Sequence, residues 1–273
     1  MPRRDPRTHP RVRGFDAAAD RYERSRPDYP AAAVRHLGRV LDLHRGRTVV
    51  EVGAGTGKFT RAMAPWGAAR VAVEPTAGMR RVFAEAVPGV AVVDGAAEAL
   101  PLPDGFADAV VCAQAFHWFR AAPALREFAR VLRPGGGLGL VWNVRDESAD
   151  WSRRITAILD RYRGDTPSTR DRKWRPAFAD PASPFGPLAF AEFRHAHRAP
   201  PSVFVDRFLS VSMIAVLPVV EQRRVADAIR SILASDPATR GRATIAMPYR
   251  TWVYWAFRRR AAPELRRRGR RTR

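Results

Sequence analysis

The run RTVVEV at residues 47–52 stops at a turn carrying three alternating glycines, Gly53, Gly55 and Gly57. A valine-rich apolar run of this length reads as a strand buried on both faces, and glycines after it allow a sharp turn into a helix. The pattern then repeats. The sequence predicts a helix over 58–66 stopped by Gly67 and a second strand over 69–75. A helix over 76–87 follows, with Met79, Val82, Phe83 and Ala86 on one face and Pro88-Gly89 ending it. A third strand (90–95), a fourth (106–114), a helix (122–132) and a fifth strand (138–144) complete the series. Strands and helices alternating at this spacing imply right-handed βαβ units, hence an α/β doubly wound, mostly parallel sheet. Such sheets bind ligands beyond the carboxyl ends of their strands, where the glycine turn lies.

The remainder is less regular. Helices are expected at 151–162, 202–213 and 219–233, strands at 189–198 and 242–250, and a loop at 164–187. No repeat or clean boundary appears, so residues 15–257 are expected to form one domain. Its core is 31–148, and its C-terminal strands and helical insertion are 149–257. Residues 1–14 and 258–273 read as basic disordered tails.

Charge invites a nucleic-acid reading, since the chain carries +21. The distribution weakens it. Residues 258–273 hold +8 and residues 1–13 hold +4, leaving +9 for everything between. Only Lys58 and Lys173 are lysines, an arginine bias that fits GC-rich coding as well as a binding surface. No apolar run reaches the roughly 20 residues of a membrane span, and the N-terminus lacks the apolar core of a signal peptide. The single cysteine, Cys112, excludes an internal disulfide and suits a reducing, cytoplasmic setting.

Three ligands compete for the glycine turn. A phosphate loop, G-x-x-x-x-G-K-[ST], needs glycine at Val52 and a hydroxyl residue at Phe59, and fails twice. A dinucleotide turn, G-x-G-x-x-G, needs its third glycine at Lys58. The observed form, Glu51-Val52-Gly53-Ala54-Gly55-Thr56-Gly57, resembles the first motif of class I S-adenosylmethionine-dependent methyltransferases. Glu74, 21 residues after Gly53, ends the second strand, where a carboxylate can grip both ribose hydroxyls. GAAEALP (95–101) resembles a stretch of that class, and FADAVVCAQAFHWF (106–119), ARVLRPGGGL (129–138) and the lid-like FDAAADRYERSRPDYP (15–30) resemble its type-11 group. AEALPLPD and VWNVRDESADW are similar to its small-molecule branch, which includes trans-aconitate-type relatives.

The resemblance implies a Rossmann-like seven-stranded sheet, a lid, a helical insertion near the C-terminus, and S-adenosylmethionine as cofactor. It implies that Glu51 holds the ligand's amino group, that Gly53, Gly55 and Gly57 admit its methionine part, and that Gln114 and Ala115 touch that same end. Glu74 takes the ribose, and Met79 either packs on the adenine or belongs to the helix core. The aspartate that commonly meets the adenine amine is replaced by Ala96, leaving Glu98 or the backbone near Ala97 for that contact.

Methyl transfer from a sulfonium needs alignment and exclusion of water, and a base only when the acceptor carries a proton. His117, just past the fourth strand, is the candidate base, with a structural histidine as the alternative. Trp118 reads as pocket wall or core. Arg145 pairs with an acceptor carboxylate or with Asp146 or Glu147. Asn143 faces the same rim, and Tyr22 and Arg26 are lid residues over the ligand or plain surface. His195 and His197 share a strand face without a third ligand, so no metal site is expected. A small-molecule acceptor is the leading expectation. A nucleic-acid substrate reached by the basic tails, or cofactor binding without catalysis, are the alternatives, and the oligomeric state is open.

Overall fold

The computed structural model of the chain describes Gly14 and residues 18–259. The two tails, and residues 15–17 of the lid stretch, therefore lie almost wholly outside the described residues. Two short helices lead in, α1 (Ala19–Ser25) and α2 (Ala31–Val40). The alternating series follows as β1 (Thr48–Val52), α3 (Lys58–Ala62), β2 (Ala69–Val73), α4 (Ala77–Ala86) and β3 (Ala91–Val93). Then come β4 (Ala107–Ala113), α5 (Ala121–Val131) and β5 (Leu132–Arg145). The C-terminal part adds α6 (Asp150–Asp160), α7 (Pro176–Ala179) and β6 (Ala189–Ala199). It ends with α8 (Pro201–Leu209), α9 (Ser212–Ala215), α10 (Val219–Ser235) and β7 (Ile245–Phe257).

All seven strands form one sheet in the order β3-β2-β1-β4-β5-β7-β6. Strands β1 to β5 pair in parallel, and β7 lies antiparallel between β5 and β6. The expected Rossmann-like sheet is therefore present, with helices on both faces. The period of two decides which residues face which layer. Val50, Val110, Cys112, Leu140 and Trp142 pack under α5. Val49, Ala109, Val111, Ala113 and Val141 pack under α2 and α3. Every residue of β4 is buried, which explains its apolar sequence; the exception, Asp108, has its carboxylate held by Arg47, Arg133 and the Thr48 N–H.

Several boundaries differ from expectation: the helix expected over 202–213 is split into α8 and α9, the loop expected at 164–187 holds α7, and two strands shift. Strand β5 begins at Leu132, because the Pro134 to Gly137 stretch joins the sheet through a register shift against Ala107 and Ala109. Strand β7 covers 245–257 rather than 242–250, its aromatic second half TWVYWAF pairing with β5 throughout. The insertion helices α8 to α10 form a separate core with α6 and with Ile245, Met247 and Tyr249 of β7. Helix α1 lies against α8 and, through Ala19 and Tyr22, on Met79 and Val82 of α4. Ion pairs reinforce the second contact and add one to α3: Asp20–Arg81 at 2.6 Å and Glu23–Arg61 at 2.5 Å. This placement leaves two adjoining hollows between the strand ends, α1 and the insertion.

Candidate active site

The first hollow, about 1180 Å³ with its open mouth, lies over the glycine turn. Gly55 has a positive φ of 56°, and a Cβ there would meet no atom within 4 Å, so its outward face opens on the cavity. Gly57 serves a different purpose from the one expected. A Cβ on it would lie 2.4 Å from Val87 Cγ2 and 2.8 Å from Phe83, so its lack of a side chain lets the turn pack on α4. It does not line the cavity.

Two buried glutamates stand at the strand ends beneath this turn. Glu51, 1% exposed, accepts a hydrogen bond from Thr60 Oγ1. Burial, and to a lesser degree the neighbouring Glu74, push its carboxyl up to about 8. Glu74 is raised too, again by burial. Its Oε2 accepts from the Gly55 N–H at 2.9 Å and its Oε1 from the Thr76 N–H at 3.0 Å and from the Thr76 hydroxyl. Glu74 thus ties the glycine turn to the end of β2 and keeps lone pairs for further donors. Two partly desolvated carboxylates in one cavity suit a cationic ligand bearing vicinal hydroxyls, the chemistry that the resemblance implies.

The other expected residues divide. Tyr22, Arg26, Gly53, Met79, Ala97, Glu98, Gln114, Ala115 and Trp118 all line the first cavity. Met79 does so while packing with Ala19, Tyr22 and Val82 under α1. Glu98 is largely committed elsewhere: its Oε1 accepts from the Arg120 N–H at 2.7 Å, at the start of α5, with the Arg120 guanidinium 3.7 Å away. Gln114 holds a φ of 60°, a left-handed conformation uncommon without glycine. Tyr29, Phe119, Lys58 and Arg207 also line the cavity and were not anticipated.

His117, Asn143 and Arg145 do not reach that cavity. They line a second one, beside Thr169, Arg170, Leu159 and Met213. Tyr22, Arg26, Gln114, Trp118 and Arg207 line both, so the two share a wall. Asn143 is engaged: its Nδ2 donates to the Asp28 carbonyl at 3.2 Å and its Oδ1 accepts from Thr251 at 2.7 Å, fastening the lid stretch to β5. Arg145 pairs with neither Asp146 nor Glu147. Asp146 binds Arg250 at 2.9 Å, and Glu147 binds Arg170.

The base reading of His117 meets a specific obstacle. Trp142 Nε1–H, which can only donate, points at His117 Nδ1 from 3.1 Å, and the Thr169 hydroxyl lies 3.2 Å from the same nitrogen. Nδ1 must therefore be the bare nitrogen, and the neutral ring carries its proton on Nε2. Burial, and secondarily the charge of Arg26, push the ring down to about 3. A ring so hard to protonate is a weak proton acceptor, and its Nε2–H is left to donate. Among the described residues no group of three potential ligands forms a metal cluster, and no helix is long and apolar enough to cross a membrane.

This strand order, with a glycine turn after β1 and a carboxylate at the end of β2, defines a class I methyltransferase. Comparison with known proteins agrees. Residues 50–140 match the model of a methyltransferase domain family. An uncharacterized methyltransferase of Mycobacterium tuberculosis is 38% identical over 237 residues, covering 87% of this chain and 92% of its own. A methyltransferase-like protein of Schizosaccharomyces pombe is 35% identical over 234 residues, covering 85% and 91%. The crystal structure of the YcgJ protein of Bacillus subtilis shares the fold, with a TM-score of 0.54 and 20% identity over 84% of this chain and 99% of that one. The chain belongs to this methyltransferase family.

Proposed function

We propose that the chain transfers a methyl group from S-adenosylmethionine, held in the glycine-lined cavity, to a small-molecule acceptor in the adjoining one. One arrangement carries the reading: a cavity over the glycine turn, lined by the buried Glu51 and Glu74, shares a wall with a second cavity under the lid. The cofactor supplies a methyl group already activated by its sulfonium. The chain's own residues bind, orient and exclude water. Glu51 faces the ammonium of the methionine part, with Gln114 and Ala115 beside it. Glu74 takes the ribose hydroxyls. Met79 and Ala97 flank the adenine, with backbone rather than Glu98 meeting its amine. Tyr22 and Arg26 of the lid cover the join between the cavities. His117 presents Nε2–H toward the acceptor as a donor, which assigns proton removal to no histidine here. A buried thiol at Cys112 suits a cytoplasmic setting.

Calorimetric titration with S-adenosylhomocysteine, beside NADH and ATP, tests the cofactor half. Micromolar binding of the first alone is expected. Labelled methyl transfer across a panel of small acceptors and RNA tests the other half, and transfer to RNA alone would overturn it.

A further inference from the structure

The second cavity is lined by five arginines, Arg26, Arg145, Arg163, Arg170 and Arg207, and by no aspartate or glutamate. Two of them have carboxylate partners nearby: Arg170 pairs with Glu147, and Arg163 with Asp160 at 2.5 Å. Among the described residues none pairs with the other three. Arg207 is only 6% exposed, and its Nε and Nη1 are buried without a hydrogen-bond partner. Arg145 Nε is likewise buried and unpartnered, its Nη2 reaching only Thr156 Oγ1 at 3.3 Å. Arg26 spends Nε and Nη2 on Ser210 at 3.2 and 3.1 Å.

Arg145 and Arg207 flank the Phe208 ring at 5.3 and 5.9 Å, a modest compensation for two desolvated cations. The three charges also act on one another. Burial and then Arg207 push Arg26 down to about 9 and Arg145 to about 10. Leaving charged donors buried and unmatched is costly, and packing them beside like charges adds to the cost. An anion inserted among them removes both penalties at once. The guanidinium edge bearing Nε and an Nη is a planar two-donor fork that fits two oxygens of one oxyanion.

We infer that the acceptor bears an oxyanionic group, and that Arg145 and Arg207, with Arg26 beside them, clasp it. This rests on the second cavity being the acceptor's place. The helix that carries Arg207 supports the assignment, because Phe204, Val205, Phe208 and Leu209 around it are all buried in the insertion core. Packing alone would favour leucine or methionine at that position, so the charge has another use.

Because Arg26 and Arg207 also border the cofactor cavity, the cofactor's own carboxylate is a rival partner, and the experiment must separate the two. Full-length protein is saturated with S-adenosylhomocysteine, then titrated by calorimetry with succinate and, separately, with inorganic phosphate. Saturable binding of at least one anion is expected, reduced tenfold or more in Arg145→Met, which keeps its affinity for S-adenosylhomocysteine. Preference for succinate assigns a carboxylate and preference for phosphate a phosphomonoester, and either supports the clasp. Without ligands, the melting temperature of Arg207→Met is expected to equal or exceed that of the parent, whereas a structural arginine would lower it. Anion binding that occurs only without S-adenosylhomocysteine, or that survives Arg145→Met, would overturn the inference. Failure of S-adenosylhomocysteine to bind appears in the first titration and strikes the cofactor reading instead.

Discussion

The two cavities on either side of the wall that includes Tyr22, Gln114 and Trp118 differ in their carboxylates. One sets the buried Glu51 and Glu74 at the glycine turn, with Lys58 and the shared Arg26 and Arg207 also in its lining, and the other holds five arginines and no carboxylate. Within each, like charges face one another: Glu74 raises Glu51, and Arg207 lowers both Arg26 and Arg145. Among the described residues, neither Glu51 nor Glu74 pairs with Arg26, Arg145 or Arg207, although the cavities touch. Pairing them would satisfy the charges and close the site. Keeping them apart leaves the arginines of the second cavity without a carboxylate and the two buried carboxylates of the first without a cation in contact. The contrast teaches why the proposed cofactor suits Glu51 and Glu74 and the proposed anionic acceptor suits the arginines.

The most disruptive way to break the contrast is to reverse a charge in the basic cavity. Arg207→Glu should weaken succinate binding by about hundredfold, equivalent to about 2.7 kcal/mol. It both removes a donor fork and gives Arg26 and Arg145 an internal partner. Calorimetry on the cofactor-saturated protein measures it, and a loss under threefold would show that the basic cavity does not recognise charge. Next in size, Glu74→Ala should weaken S-adenosylhomocysteine binding tenfold or more, about 1.4 kcal/mol, while sparing succinate. An unchanged affinity would remove Glu74 from the ribose.

The acidic side can also be tuned by pH. Glu51, held at about 8 without ligand, is mostly protonated at neutral pH, and a cationic ligand favours its ionised form. Binding therefore expels a proton, and affinity climbs as pH rises, by at most about threefold per half unit below pH 8. The window from pH 6 to 7.5 keeps the ligand's own amine charged. Glu51→Gln should flatten the slope. The same shift has a stability consequence of opposite sense. The folded value lies above the unfolded one, so the ligand-free fold loses stability as pH rises from the carboxylate range toward 8. Proton release can be read from calorimetry in buffers of differing ionisation enthalpy.

The sheet and the acidic cavity were legible in sequence because their signals are local. RTVVEV, the glycines and Glu74 lie within 28 residues and obey a period of two or a strand end. The basic cavity was not legible as a unit. Its arginines follow α1 (Arg26) and α6 (Arg163), end β5 (Arg145), and lie in the 164–187 stretch (Arg170) and α8 (Arg207), brought together only by tertiary packing. In a chain with 48 basic residues, no single arginine stands out. Arg207 did leave a trace, three residues after Phe204 on the apolar face of its helix, where a charge interrupts the expected stripe. Gly57 shows the reverse error. It looked like a ligand-binding glycine by motif, and proves to be a packing glycine against Val87. Motif spacing records where a Cβ is forbidden, without recording what forbids it.

His117 sits where the contrast between the cavities can be sharpened most finely. Its bare Nδ1 is occupied by Trp142, so only Nε2–H remains to act on the second cavity. A donor suits an acceptor group that is already deprotonated, whereas a base would suit one that carries a proton. With the ring lowered to about 3, turnover should show no rise through the ordinary histidine range near pH 6.5, because the ring is already neutral there. His117→Gln, which retains an N–H donor, should lose no more than about threefold in kcat, the least of these effects at under 1 kcal/mol. His117→Phe should lose more. The depressed value also implies that the fold sheds stability as pH falls from about 6.5 toward 3, since the unfolded ring binds its proton first. If a pH–rate profile instead rises with a midpoint near 6.5 and that rise vanishes in His117→Gln, then Nε2 accepts a proton during turnover. The Trp142 contact must then break in the working enzyme, and the group that receives the methyl carries a proton.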